Sequence, residues 1–201
     1  MKLKQIESLL KKKKTIITTH AEGCQWLSDG SAFYPVSGLP ELTKENLFAI
    51  FDVPVEKREG YYFQEIIPPE LNFDNADPGE QLTGKSDVYI VYEGRCLYPQ
   101  ITSQGLAFID SKYLRPFYGQ EDGFDIYERI NAKGHSYFAV KSGFLLLGLI
   151  LPVKIDYAPL IQMMDRLSAM AKAAMENELT LRKQELYQQG LFSPEQEGGA
   201  T

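Results

Sequence analysis

Apolar positions change their spacing several times along the chain, and each change predicts an element. In residues 2–13, Leu3, Ile6, Leu9 and Leu10 recur three to four apart, which predicts an amphipathic helix. TIITTH (15–20) is β-branched and reads as a strand. CQWLSD (24–29) and AFYPV (32–36) follow as two more strands, a meander that carries Trp26. Leu47, Ile50 and Phe51 then give a short helix with Thr43 as N-cap, stopped by Pro54.

Between 54 and 86 the periodicity fades. YYFQEII (61–67) predicts one strand, but PPELNFDNADPGEQLTGKS (68–86) is rich in Pro, Gly, Asn and acid. It predicts a loop longer than most connections in compact domains, and such loops are candidates for function. Strand patterns return at 87–93, 95–102 and 106–110, with a short helix over 111–117 capped by Ser111. Three further strands are predicted at 124–130, 135–141 and 144–155, joined by turns at Asn131–Gly134 and Ser142–Gly143. Short strands with frequent turn signals predict an α+β fold, an antiparallel sheet built from hairpins with short helices on one face. FLLLGLILPV (Phe144–Val153) is the least water-tolerant stretch. It is far shorter than the ~20 residues a membrane helix needs, so it predicts the buried strand that closes the sheet. EGCQWLSDGSAFYP and EGRCLYPQITSQGLAFI both run from Glu-Gly and Cys through a turn to Ala-Phe. Two hairpins of one architecture would look this way, and so would shared turn chemistry alone.

From Asp156 to about Gln189 the period becomes helical again. Leu160, Met163, Met164, Leu167, Met170, Ala171, Ala174, Met175, Leu179, Arg182 and Leu186 carry it. Asp156 is the expected N-cap, Pro159 sits in the tolerant first turn, and Gly190 is the expected stop. The first half is rich in Met and Leu, whereas ENELTLRKQELYQQ is polar with a thin apolar stripe. That predicts a projecting arm, a coiled-coil seam between two copies or a docking helix. Met163, Met164, Met170, Leu179 and Leu186 would make the contacts, and plain core packing is the competing reading for the first half. The expected organisation is an α+β domain over 1–155, with 54–86 as its long acidic connection. The helix over 156–190 and a flexible tail over 191–201 complete it.

The 201 residues are enough to bury a core without staples, and 44% hydrophobic with 24% charged residues is ordinary for a globular protein. A net charge of −6 argues against a general duplex binder. Lys11, Lys12, Lys13 and Lys14 form the one dense basic run. They would touch phosphate if the chain contacts DNA, but lysines in a last helical turn also complement the helix dipole. Cys24, Cys96, His20 and His135 lack C-x-x-C or zinc spacing, so no metal and no cofactor is expected. Reduced thiols and a cytoplasmic location are expected. His20 and Cys24 are near enough to meet across a tight turn, where redox or metal chemistry is the sharper, less favoured reading. The N-terminal stretch has neither the apolar core nor the small-residue site of a secretory signal, and none is expected.

No nucleophile elbow, P-loop, dinucleotide fingerprint or H-E-x-x-H motif occurs, so a non-enzymatic protein is expected, with no catalytic residues. If it were an enzyme, Cys24 with His20 or His135 would be the pair to test. Asp74, Asp77 and Glu80 lie close together but without the alternation of a calcium loop. With Glu121 and Asp122 they are the candidate contact acids for a basic protein partner, because complementary charge speeds association.

CQWLSDGSAFYPVSGLPELTKENLFAIFDVP, together with YFAVKSGFLLLGLILPVKI, resembles small proteins encoded by prophages and other mobile elements of Gram-positive bacteria. The resemblance implies an accessory role in replication, recombination or host defence. An acidic, non-catalytic member is similar in character to the inhibitors that phages direct against CRISPR effector nucleases. It implies binding to a nucleic-acid-handling protein and inhibiting or modulating it. LAFIDSKYLRPF and the later GLILPVKI are similar to the last domain of bacterial sliding clamps, which implies the alternative of a DNA-contacting accessory protein.

Overall fold

The computed structural model describes residues 3–68, 70–84, 88–119 and 123–188. The chain forms two compact units, Met1–Lys154 and Ile155–Thr201.

The first unit is an α+β fold. Helix α1 (Leu3–Lys13) buries Ile6 and Leu10. The meander β1 (Thr15–Ala21), β2 (Cys24–Ser28) and β3 (Ala32–Val36) pairs antiparallel throughout. Thr43 caps α2 (Lys44–Ile50), its hydroxyl accepting from the Asn46 N–H at 3.3 Å. After Pro54 a single helical turn, α3 (Val55–Arg58), leads to β4 (Tyr62–Glu65). β4 pairs with β1 in parallel, which the hairpin-rich pattern does not predict. The predicted single sheet is two. Eight strands run β4-β1-β2-β3-β11-β10-β9-β5, where β5 is Gln81–Leu82, β9 Asp125–Ile130, β10 Ser136–Ser142 and β11 Leu145–Ile150. A separate sheet holds β6 (Ile90–Tyr92), β7 (Arg95–Thr102) and β8 (Gly105–Asp110).

The resembling hairpins begin at turns of the same geometry. Glu22 and Gly23, and again Glu93 and Gly94, all have positive φ. That is the demand of a two-residue type I′ turn, and Glu is an unusual residue to meet it. One hairpin lies in each sheet. The predicted helix over 111–117 is two 3₁₀ turns, Ser111–Tyr113 and Arg115–Phe117. The cap of the first is Asp110, not Ser111, because the Asp110 carboxylate accepts from the Lys112 N–H at 3.1 Å.

Side chains alternate between the two faces of the large sheet. Leu27, Tyr34, Phe138 and Ile150 join α1, α2 and the 3₁₀ turns in one cluster, so the helices share one face. Trp26, Phe33, Tyr137, Ala139 and Leu149 form the cluster on the other. The apolar stretch at 144–153 becomes β11, last in sequence but central in the sheet, between β3 and β10. A bulge opposite Val140–Lys141 lets Leu146 and Leu149, three apart, share a face. Past the strand, the Val153 N–H donates to the Phe108 carbonyl at 2.8 Å, so the stretches around 106–117 and 148–154 are neighbours.

The second unit contains α4 (Tyr157–Gln188), begun by Asp156, whose carboxylate accepts from the Ala158 N–H at 3.1 Å. Among the described residues no helix is long and apolar enough to cross a membrane. The expected stop at Gly190 and the tail over 191–201 lie outside the described residues.

Gly148 sits where β11 passes under the 3₁₀ turns. A methyl there would lie 2.6 Å from the Phe117 ring and 2.9 Å from the Phe33 carbonyl. The ring can shift, but the backbone oxygen of a central strand cannot do so cheaply. Gly148→Ala is expected to destabilise the fold by about 1–3 kcal/mol, read as a lower urea midpoint at unchanged slope.

Candidate functional site

Residues 71–80 of the predicted functional loop cover the second face of the large sheet. Its local turns are set by Asn and Asp. The Asn72 side-chain oxygen accepts from the Asp74 N–H at 2.8 Å, and the Asp77 carboxylate accepts from the Gly79 N–H at 2.9 Å. Asn72 also donates its side-chain amide to Asp77 at 2.9 Å. These side chains mimic backbone turns and let a Pro-Gly segment hold one shape.

Three contacts seat the cover. Phe73 meets Trp26 and Phe33 edge-on, with ring centroids 5.0 and 5.6 Å apart. The Asn72 N–H donates to the Tyr137 hydroxyl at 3.0 Å, and the Leu146 N–H donates to the Asn75 side chain at 2.8 Å. Underneath lies Arg129 of β9, its side chain 0% exposed. Its guanidinium donates to the Asn72 and Asp74 carbonyls, both at 3.0 Å, and to the Glu80 carboxylate at 2.6 and 2.9 Å. The other Glu80 oxygen accepts from the Lys141 ammonium, which also sits 5.0 Å over the Tyr127 ring. One carboxylate therefore serves two buried cations. Asp77 lies in the same field. Burial pushes its carboxyl up, but the Gly79 and Asn72 hydrogen bonds, with Arg129 and Lys141 behind them, outweigh that and hold it below the ordinary aspartate value.

This geometry divides the predicted contact acids. Glu80, its side chain 14% exposed, is a structural anion, because the buried charges of Arg129 and Lys141 survive only when paired. Asp77 is turned inward to cap its own loop. Asp74 is exposed, and its carboxylate meets that of Glu22. Glu22 is pushed up by the hydrogen bond to Asp74 and by the like charge there. Glu121 and Asp122 lie outside the described residues. Arg129 and Lys141 did carry a signal. They fall in phase with Tyr127, Tyr137 and Ala139 on the apolar face of their strands. A cation in that phase requires an anion from elsewhere in the chain.

Two of the four lysines of the basic run are engaged with their own fold. Lys11 pairs with Glu7 at 2.6 Å, and Lys13 donates to the Ser31 hydroxyl at 2.9 Å with Asp29 at 3.8 Å. Lys14 leaves the helix with positive φ, and Lys12 is exposed. His20 lies 3.5 Å from both Glu41 and Glu65, and Cys24 donates to the Gln25 carbonyl 3.3 Å away. They face different partners. No group of three or more His, Cys, Asp or Glu side chains among the described residues could hold a metal ion.

A second buried polar cluster joins the ends of distant strands. The Tyr113 hydroxyl donates to Asp29 at 2.8 Å, and Asp29 also accepts from the Ser31 and Ala32 N–H groups. The Tyr34 hydroxyl donates to the Tyr113 carbonyl at 2.9 Å. Burial, then the nearby Asp29, pushes the Tyr34 phenol well up; burial does the same for Tyr113, and the Asp29 charge adds to it. Each group's hydrogen bonds point inward, so the cluster braces the fold.

Along α4 only Leu160 is buried. Met163, Met164, Met170 and Leu179 are exposed, and Leu186 is half-buried. Over 160–175 the 3.6-residue period places Ile161, Met163, Met164, Leu167, Met170 and Met175 on one half of the circumference with Leu160. Asp165, Arg166 and Lys172 take the other half. Beyond Met175, Glu178, Arg182 and Glu185 interrupt the apolar side. No protein family, no curated protein and no solved structure matches the chain.

Arg129→Ala removes the donor for two loop carbonyls and one of two counter-ions of Glu80. It is expected to cost about 3–5 kcal/mol, read by urea denaturation. The phenols of Tyr34 and Tyr113 should stay protonated as solution alkalinity passes the ordinary tyrosine value. Their contribution is complete below about pH 10 and is lost as pH rises from there toward their folded values. A spectrophotometric titration at alkaline pH should show part of the tyrosine absorbance appearing only with unfolding.

Proposed function

We propose that the protein works by binding another protein through the first turns of α4, and that it is not an enzyme. The observation that carries this reading is the exposure of Met163, Met164, Leu167, Met170 and Met175 along one half of a helix that buries a single residue. Exposed apolar surface of that extent marks interaction sites, and methionines adapt to the shape of a partner groove. The helix runs about 48 Å at 1.5 Å per residue, long enough to lie along a groove or a partner helix. Its charges balance, since Asp165, Glu176, Glu178 and Glu185 stand against Arg166, Lys172, Arg182 and Lys183. Apolar fit rather than charge therefore sets the affinity. Glu80 and Asp77 are held by their own fold, which leaves Asp74 and Glu22 as the exposed acids of the loop region and assigns them a secondary, steering part.

The resemblance to mobile-element proteins supports a nucleic-acid-handling protein as partner, and CRISPR effector nucleases come first, with inhibition or modulation as the outcome. The test is titration of the purified chain against a panel of such effectors after nuclease treatment. A one-to-one complex is expected, weakened about a hundredfold or more by Leu167→Asp with Met170→Asp at unchanged helix content. Complexes insensitive to those changes would overturn the helix as contact element. Self-association lost on the same changes would make a second copy the partner. Salt-dependent DNA binding by the isolated chain, flattened by neutralising Lys12 and Lys14, would instead support the DNA-accessory alternative.

A further inference from the structure

An apolar sheet face is usually closed by apolar side chains. The face formed by Trp26, Phe33, Tyr137 and Leu149 is closed by residues 71–80, of which Leu71 and Phe73 pack onto it. The rest of the attachment is polar, and its centre is ionic. Arg129 and Lys141, 0% and 7% exposed, share the one Glu80 carboxylate. Buried ion pairs contribute little net stability compared with apolar packing, but removing one partner leaves uncompensated charge and is severe. Such an attachment is strong while complete and fails as a unit.

We propose that residues 71–80 form an acid-releasable strap: neutralising Glu80 detaches the segment and uncovers Trp26, Phe33 and Tyr137 while both sheets remain folded. Every group facing Glu80 bears on this. From β9 comes Arg129, and from β10 Lys141, with Tyr127 beneath the ammonium and Asp125 as its cross-strand neighbour. From the strap itself comes Asp77. With its carboxyl held below the ordinary value, its contribution is present at neutral pH and lost as pH falls through the folded value. The Glu22–Asp74 pair acts oppositely, because protonated Glu22 donates to Asp74. That pair is open to water and weak, so the buried pair decides. Lys133 and Glu70 pair at the strap's approach, half in water, and add little. The helix-bearing face shares no cluster residue with the strap, so its core survives release.

Trp26 is the only tryptophan, and it lies edge-on to Phe73, so its emission reports strap seating. Two amides report it independently, Asn72 donating to Tyr137 and Leu146 donating to Asn75. The experiment titrates the full chain from about pH 7 to about pH 3, across the carboxylate range, following Trp26 emission, far-ultraviolet circular dichroism and amide exchange. The expected result is a red shift of Trp26, with Asn72 and Leu146 losing protection on the order of a hundredfold, before the dichroism changes. Glu80→Gln should show the same state at neutral pH. One transition common to all signals, or a Glu80→Gln chain with unchanged emission and protection, would overturn the strap. If Glu80→Gln fails to fold, exchange of the unaltered chain at neutral pH decides. Opening of Asn72 and Leu146 ahead of the Phe138 and Ile150 amides supports the strap, and opening only with them overturns it.

Discussion

The first unit depends on a guanidinium that water cannot reach. Arg129 lies inside the sheet face, and every polar hydrogen it directs at the cover meets a carbonyl or the Glu80 carboxylate. Burying that charge alone would be prohibitive, so the loop must close over it in one conformation. The constraint acts in both directions. The cation requires the loop, and the loop, rich in Pro, Gly and acid, is held besides by Phe73 and Leu71 and by two hydrogen bonds, Asn72 to Tyr137 and Leu146 to Asn75. Lys141 makes the requirement stricter, since a second buried cation shares the same anion.

The opposite face of β9 carries the complementary device. Glu128 is 3% exposed and accepts from the Ser103 N–H at 2.7 Å, the Ser103 hydroxyl at 2.9 Å and the Ser136 hydroxyl at 2.6 Å. Ser103 lies in the turn between β7 and β8, so this carboxylate ties the small sheet to the large one. Adjacent residues of one strand thus secure two different layers, Arg129 the cover and Glu128 the hairpin. Alternation of side chains makes that division possible, and the bulge in β11 preserves it across an otherwise uniform apolar run.

The two units pose different physical problems. In the first, polar groups are hidden and must be matched one by one. In α4, apolar groups are exposed in a row, and their burial is left to something outside the helix. A helix of 32 residues is held by its own backbone ladder and local pairs such as Arg182 with Glu178 at 2.7 Å, so it can stand with one buried residue.

Period and turn chemistry alone determined much of this protein. The helix at the N-terminus, the meander around Trp26, the long C-terminal helix and the β7 boundaries follow from spacing that acts over a few residues. Local signals suffice there because neighbours in sequence are neighbours in the element. The parallel β4–β1 pairing, the second sheet and the central place of β11 depend on partners tens of residues away, for which no local period exists. The same limit governs the site. Asp74, Asp77 and Glu80 are alike on paper, three acids in a polar loop. Only the tertiary structure, by setting Arg129 and Lys141 beneath one of them, made Glu80 an anchor, turned Asp77 inward and left Asp74 in water.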